Sequence, residues 1–265
     1  MKKSLCGLWS ILAVLGVVGI LSGQDNDREK RFAVNSCVSE RTAVSAANAA
    51  GVWEMEDMRM QVVYQLAKRS VVKLIVKDAA AGGIIWKIED GIVIVSNRHL
   101  LMKDIKAEVV FGNEETLSAD VIGYSQQYDI GFVKIPEESV TNSVLREIYE
   151  AVPVLYETET EDAKAIFEQK YLERRVLQMG AAHFSVGTIK ALTYMPLFNT
   201  TILETACYSK AGMSGGGVFG ENGMFLGMIS GGEVPEGAAE REAEITYSIP
   251  PALIAAEYEI VEHDK

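Results

Sequence analysis

Three residues in this chain have the types that nucleophilic acyl transfer requires. His99 lies in VSNRHLL, where a buried-looking strand would open into a loop; Asp129 opens the strand-like YDIGFVKI; Ser214 lies in AGMSGGGVF. A serine hydroxyl needs a base of near-neutral pKa, the base needs a carboxylate to fix its tautomer, and the oxyanion needs preorganised N–H donors. The glycines around Ser214 let the backbone turn tightly and leave amide hydrogens free. Each residue also has an ordinary structural reading: a packing histidine at a strand end, a turn-capping aspartate, a glycine-rich loop serine. Their joint presence, in the order His, Asp, Ser and in a chain with 3 histidines, points to chemistry.

The run Gly212-Met213-Ser214-Gly215-Gly216 also fits the G-x-S-x-G nucleophile elbow of another hydrolase architecture. That elbow needs a following helix and, later in the chain, an Asp and then a His. Here glycine-rich strand sequence follows, and the only later histidine is His263, two residues from the last position. The elbow reading fails.

Short β-type runs must position these residues. Val71–Val76, Ile84–Ile88, Ile92–Ser96, Ala107–Phe111, Thr116–Val121 and Ile130–Ile135 are strand-like, with Asp90-Gly91 as a hairpin turn. A helical stretch, Glu137–Glu150, separates them from a second β-rich half. Its strands are expected near Val152–Leu155, Val176–Met179, Val186–Leu192, Ile202–Cys207, Gly217–Phe219, Met224–Ser230 and Thr246–Ile249. A helical insertion is expected at Glu161–Glu173, a closing helix at Pro251–Tyr258, and an amphipathic helix at Glu54–Lys68, where Met55, Met58, Val62 and Leu66 recur at helical steps. Two successive all-β halves of similar size argue for paired barrels or sandwiches and against an alternating βα fold. No internal repeat is visible in the sequence.

Composition sets the outer bounds. The 265 residues are 48% hydrophobic and 23% charged, which excludes disordered, collagen-like and coiled-coil chains. A net charge of −12 argues against a nucleic-acid binder, which needs a basic face to displace counterions. The acid excess is concentrated in Glu221–Lys265, with ten acidic and two basic residues, and reads as a solvated surface. Lys2 and Lys3 precede Leu5–Gly23, 19 residues without a charge, which reads as a signal anchor or a signal peptide. Residues 24–52 then form a polar juxtamembrane linker, and the catalytic domain occupies 53–262. On either reading, everything after Gly23 is exported: held at the cell membrane by a single span, or secreted if the signal is cleaved. Among Cys6, Cys37 and Cys207 no spacing suggests a metal site. A Cys37–Cys207 bridge and two free thiols both remain open.

The three motifs resemble the trypsin-like protease domain of the HtrA/DegP family, within the chymotrypsin-fold serine peptidases. GGIIWKIEDGIVIVSNRHLL is similar to that family's strand–turn–strand before the catalytic His, YDIGFVKI to its Asp motif, and LETACYSKAGMSGGGVFGENGMFLGMISG to the segment around its nucleophile. The likeness runs from about Val71 to Pro250 and is loose between Glu137 and Arg175. It implies an all-β fold of two six-stranded antiparallel barrels with a few short helices, the first over about 70–136 and the second over about 152–250.

Residue by residue, the resemblance implies that Ser214 is the nucleophile, His99 the general base and acid, and Asp129 its orienting carboxylate. The backbone N–H groups of Gly212 and Ser214 would form the oxyanion hole. Ser230, Gly231 and Gly232 would pair with the substrate backbone, and Tyr208 would lie near the base of the S1 pocket. Tyr208 is not an Asp, which argues against strict Arg/Lys specificity. Met213 replaces the Asp with which digestive-type relatives are activated, and the sequence ends soon after the second barrel, so no PDZ domain is expected. Trimers occur among relatives. The expected function is a serine endopeptidase acting on exported proteins or peptides, with no metal or cofactor. The rivals are a proteolytically inactive module that binds extended peptides, and an esterase using the same triad.

Overall fold

The computed structural model describes residues 50–233 and 242–263. The chain divides into two compact units, Met1–Val62 and Val63–Lys265, and the expected site residues all fall in the second. Leu5–Gly23, the linker before residue 50 and Cys37 lie outside the described residues. Among the described residues, no helix is long and apolar enough to cross a membrane.

The chain enters through α1 (Ala50–Ala67), whose last turns bring Tyr64 against Phe184 with ring centroids 4.7 Å apart. Six strands follow: β1 (Val71–Val76), β2 (Ala79–Lys87), β3 (Gly91–Ser96), β4 (Lys106–Val110), β5 (Thr116–Tyr124) and β6 (Gly131–Pro136). They close an antiparallel barrel in the order β1-β2-β3-β6-β5-β4. Asp90 and Gly91, both at positive φ, make the expected hairpin turn between β2 and β3. Every residue of β3 is buried, as its unbroken apolar sequence requires of a strand packed on both faces. Leu74, Ile85, Ile92, Ile94, Val109, Val133 and Ile135 fill the barrel interior.

The expected helix over Glu137–Glu150 is shorter than its sequence suggests. A 3-10 turn at Glu137–Ser139 precedes α3 (Asn142–Glu147), which Thr141 caps by accepting the Val144 N–H. A four-residue helix, α2 (Arg98–Leu101), lies earlier, directly after β3. Val152–Leu155, expected as a strand, makes only an isolated bridge from Pro153 to Phe225. A proline has no N–H to give to a ladder, and the segment instead spans the two barrels. The Ala151 N–H donates to Ile85 O of the first barrel at 2.9 Å, and the Val154 N–H donates to Phe225 O of the second at 2.9 Å.

The helical insertion stands where expected, as α4 (Glu161–Tyr171), with Thr160 as its N-cap. The second barrel is built from β7 (Arg175–Met179), β8 (Phe184–Met195), β9 (Thr200–Ala206), β11 (Gly217–Gly220), β12 (Phe225–Glu233) and β14 (Ile245–Ile249). Two short strands, β10 (Ser209–Lys210) and β13 (Glu242–Ala243), pair with each other beside it. The closed order β7-β8-β9-β14-β12-β11 repeats the first barrel's order position for position. The C-terminal helix α5 (Pro251–His263) returns to the first barrel, where Tyr258 meets Phe132 at 5.2 Å between ring centroids. The fold is therefore the expected pair of six-stranded antiparallel barrels, with the second beginning at Arg175 and not near 152.

Candidate active site

β3 ends in Ser96, and Asn97 follows it, both fully buried; the chain then turns into α2, which presents His99 to solvent. Two bonds fasten this turn to the loop before β6. The Asn97 side-chain amide donates to Asp129 O at 3.2 Å, and the Arg98 guanidinium donates to Gln126 O at 2.9 Å. Within that loop the Ser125 hydroxyl accepts the Gln127 and Tyr128 N–H groups, folding it so that the Asp129 carboxylate faces α2.

The result is a histidine–carboxylate pair. His99 Nδ1 lies 3.0 Å from Asp129 Oδ1 and 2.9 Å from Oδ2, and the His99 backbone N–H also donates to Oδ1 at 3.0 Å. The imidazole side chain is 57% exposed while the carboxylate is 19% exposed. The carboxylate is thus shielded behind the ring, and the far ring nitrogen is accessible to a reactant. A carboxylate on Nδ1 fixes the tautomer that leaves Nε2 as the basic atom.

A third donor reaches the same carboxylate from the second barrel. The Ser230 hydroxyl donates to Asp129 Oδ2 at 2.9 Å, across 101 positions of sequence. The expectation for Ser230 concerned its backbone alone; its side-chain role was invisible because a serine in a strand carries no local signature. Its neighbour in the strand, Ile229, bonds to the Ser214 loop. The Gly215 N–H donates to Ile229 O at 2.8 Å, the Ile229 N–H to Gly216 O at 2.8 Å, and the Gly82 N–H of β2 to Ser214 O at 2.7 Å. The loop is thus held between the two barrels.

Gly215 is required at this junction. It adopts φ +76°, and a Cβ there would run into Gly82 O and Ser96 Oγ, which are hydrogen-bonded to each other at 2.7 Å. Gly212 also has positive φ, at +90°, in a turn closed by the Met213 N–H on Lys210 O at 3.1 Å. Among the described residues, neither the Gly212 nor the Ser214 amide donates to a protein acceptor, so both remain available to a developing oxyanion. Met213 is 1% exposed, in the apolar interior of the second barrel, a position suited to an uncharged side chain. Among the described residues, Ser214 Oγ makes no hydrogen bond, so its link to His99 is not closed here. Catalytic hydrogen bonds of unliganded sites often tighten only with substrate bound.

The region expected to form S1 is more enclosed than its sequence suggests. The Tyr208 carbonyl accepts the Ser185 hydroxyl at 2.6 Å and the Gln178 amide at 3.4 Å. The next residue, Ser209, pairs with Ala243, and both approach Gly232. Neither Ser209 nor Ala243 was legible as a site residue, because two-residue strands have no periodicity to read. Glu233, beyond Gly232, accepts the Tyr247 hydroxyl, and burial followed by that hydrogen bond raises the Tyr247 pKa. Cys207 is a free thiol, buried in the second barrel's interior, and its pKa is pushed up to about 12 by that burial. Among the described residues, no His/Cys/Asp/Glu group is arranged to hold a metal ion.

Among curated proteins, none matches this chain. Solved structures with a similar fold include the HtrA-type protease AlgW with a tripeptide, at 16% identity and a TM-score of 0.62 over 77% of this chain and 64% of that one. A second AlgW structure, with a decapeptide, aligns at 14% identity and a TM-score of 0.60 over 77% and 67%. The serine endoprotease from Yersinia pestis aligns at 19% identity and a TM-score of 0.57 over 76% and 66%. This chain therefore spans less than two thirds of the tripeptide-bound AlgW chain. At these identities the likeness is one of fold. The sequence itself matches the model of the trypsin-like peptidase domain over residues 81–228, more than half of its length and including His99, Asp129 and Ser214; the chain belongs to that family.

Proposed function

We propose that the protein is a serine endopeptidase that cleaves peptide bonds of exported proteins through an acyl-enzyme. The observation that carries this reading is the exposed His99 imidazole held at 2.9–3.0 Å by both oxygens of a shielded Asp129 carboxylate. His99 Nε2 takes the proton of Ser214 Oγ as that oxygen attacks the scissile carbonyl carbon. The tetrahedral oxyanion is received by the Gly212 and Ser214 amides. His99 then returns the proton to the leaving amine, which departs as the C–N bond breaks, and a water repeats the sequence to release the acyl group. Asp129 remains ionised and stabilises the imidazolium.

An extended peptide has a place to lie. One edge of β12 is paired with β14 from Met228 to Glu233, while β11 covers the other edge only from Phe225 to Met228. Among the described residues, no strand pairs with the other edge of Ser230–Glu233, beside the Ser214 loop, and that edge is suited to β-augmentation by substrate. The relatives that align with this chain include an HtrA-type protease with bound tripeptide or decapeptide, and peptide binding on this edge is proposed here by the same fold. The uncharged Leu5–Gly23 run supports export, by anchor or by cleaved signal.

The test is to incubate the full chain with an unfolded protein substrate and to map new N-termini, using Ser214→Ala and His99→Ala as controls. Cleavage by wild type alone is the expected result. Peptide binding without cleavage would replace this reading with that of a peptide-binding module, and ester hydrolysis without peptide cleavage with that of an esterase.

A further inference from the structure

We infer that Met102 is an oxidation site, converted by a hydroperoxide to the sulfoxide, and that Arg98 passes the change to the adjacent His99. The inference rests on the peptidase reading above and adds a point of regulation to it. Met102 caps the C-terminal end of α2, the helix that carries His99, through its N–H on Arg98 O at 2.9 Å. Its sulfur accepts the Arg98 Nε–H at 3.3 Å. The same guanidinium donates through Nη1 to Gln126 O at 2.9 Å, and its Cζ lies 5.4 Å from the centroid of the Tyr124 ring. Arg98 thus joins the thioether to the loop that presents Asp129. Met102 is 56% exposed and lines a cavity of about 500 Å³ together with Leu101, Lys103 and Tyr124, so a small solute reaches it from solvent. By contrast, Met60, Met213 and Met228 are buried.

A thioether is a weak acceptor, and its sulfur is the atom that peroxides oxidise. The sulfur lone pair attacks one peroxide oxygen, the O–O bond breaks, and an S–O bond forms. For hydrogen peroxide, the proton on the transferred oxygen passes to the departing one, which leaves as water. Sulfur loses two electrons and the peroxide gains them. The sulfoxide oxygen is a stronger acceptor than the sulfur, and the Arg98 donor is already aimed at this position. A gap of 3.3 Å cannot hold an S–O bond and a further N–H···O bond of about 2.9 Å, so the guanidinium and the thioether must separate. That shift pulls on the Gln126 bond, one of the two that fasten the His99 turn to the Asp129 loop. His99 is the residue next to Arg98, so the displacement reaches its bonds to Asp129.

The experiment exposes the full chain and its Met102→Leu and Arg98→Ala variants to hydrogen peroxide and maps sulfoxides by peptide mass spectrometry. Met58, 57% exposed, is the internal control for exposure alone. For a cleaved peptide, kcat/KM is read before treatment, after it, and after a methionine sulfoxide reductase, with fluorophosphonate labelling alongside. In wild type, Met102 should be oxidised and kcat/KM should fall about tenfold, a fraction of the ~100-fold that a misplacement of about 1 Å costs. The reductase should restore it. Met102→Leu should start at the wild-type kcat/KM and keep it under peroxide, whereas Arg98→Ala should start lower and lose no more. Met102 left reduced while Met58 is oxidised overturns this inference alone. So does full oxidation of Met102 with unchanged kcat/KM, or an equal loss in Met102→Leu. Absence of labelling and cleavage in wild type before treatment removes the peptidase reading and this inference with it.

Discussion

Asp129 accepts every hydrogen bond made to its carboxylate: from the His99 backbone, the His99 ring and the Ser230 hydroxyl. An amide in its place would turn one donor toward the imidazole and favour the wrong tautomer. Asp129→Asn should therefore cut kcat by about 10⁴-fold with the fold intact by circular dichroism. Ser230→Ala removes one of several donors and should lower kcat/KM by about tenfold, the equivalent of ~1.4 kcal/mol. Equal losses from the two variants would contradict the arrangement described. At this scale the sequence was informative where chemistry narrows the residue type. His99 and Asp129 are legible because few residue types can make such a pair, and each, like Ser214, sits in a distinctive local run. Ser230's hydroxyl, Ser209 and Ala243 were not, since each matters only through a neighbour distant in sequence.

Among the elements, the strands with unbroken or alternating apolar residues were placed to within a few residues, because a barrel strand must bury at least one face. The errors have physical causes. Val152–Leu155 has the apolar residues of a strand, but Pro153 and the crossing between barrels limit it to one bridge. The four-residue α2, which carries His99, is too short for any helical period to show. One close element contact lies where β2 meets the Ser214 loop. Gly215→Ala should both destabilise the protein, by roughly 1–3 kcal/mol in a urea titration, and abolish fluorophosphonate labelling, because the new Cβ collides with Gly82 O and Ser96 Oγ. Ser96→Ala, which only deletes the hydroxyl bonded to Gly82 O, should cost about 1 kcal/mol and leave labelling measurable. Labelling preserved in Gly215→Ala would show that the loop does not depend on this seat.

The whole second unit repeats one architecture twice. Both barrels close with the same strand order, yet no repeat is visible in the sequence, since a barrel constrains where apolar residues fall and not which ones they are. The barrels share hydrogen bonds through Ala151, Val154 and the Gly82–Ser214 contact, so they should unfold together in one transition followed by both fluorescence and far-ultraviolet circular dichroism. Two separated transitions would mean that each barrel stands alone. Burial predicts a further property: the Cys207 thiol, held protonated up to about pH 12, should resist alkylation at pH 8 in the native protein and react after denaturation.

All of this converges on one atom, Ser214 Oγ. The most direct measurement treats the full chain, its Ser214→Ala variant and its His99→Ala variant with a fluorophosphonate probe and locates any adduct by peptide mass spectrometry. A covalent adduct on Ser214 in wild type, absent from both variants, is the result this structure predicts. A folded wild type that stays unlabelled, or carries the probe elsewhere, would contradict it.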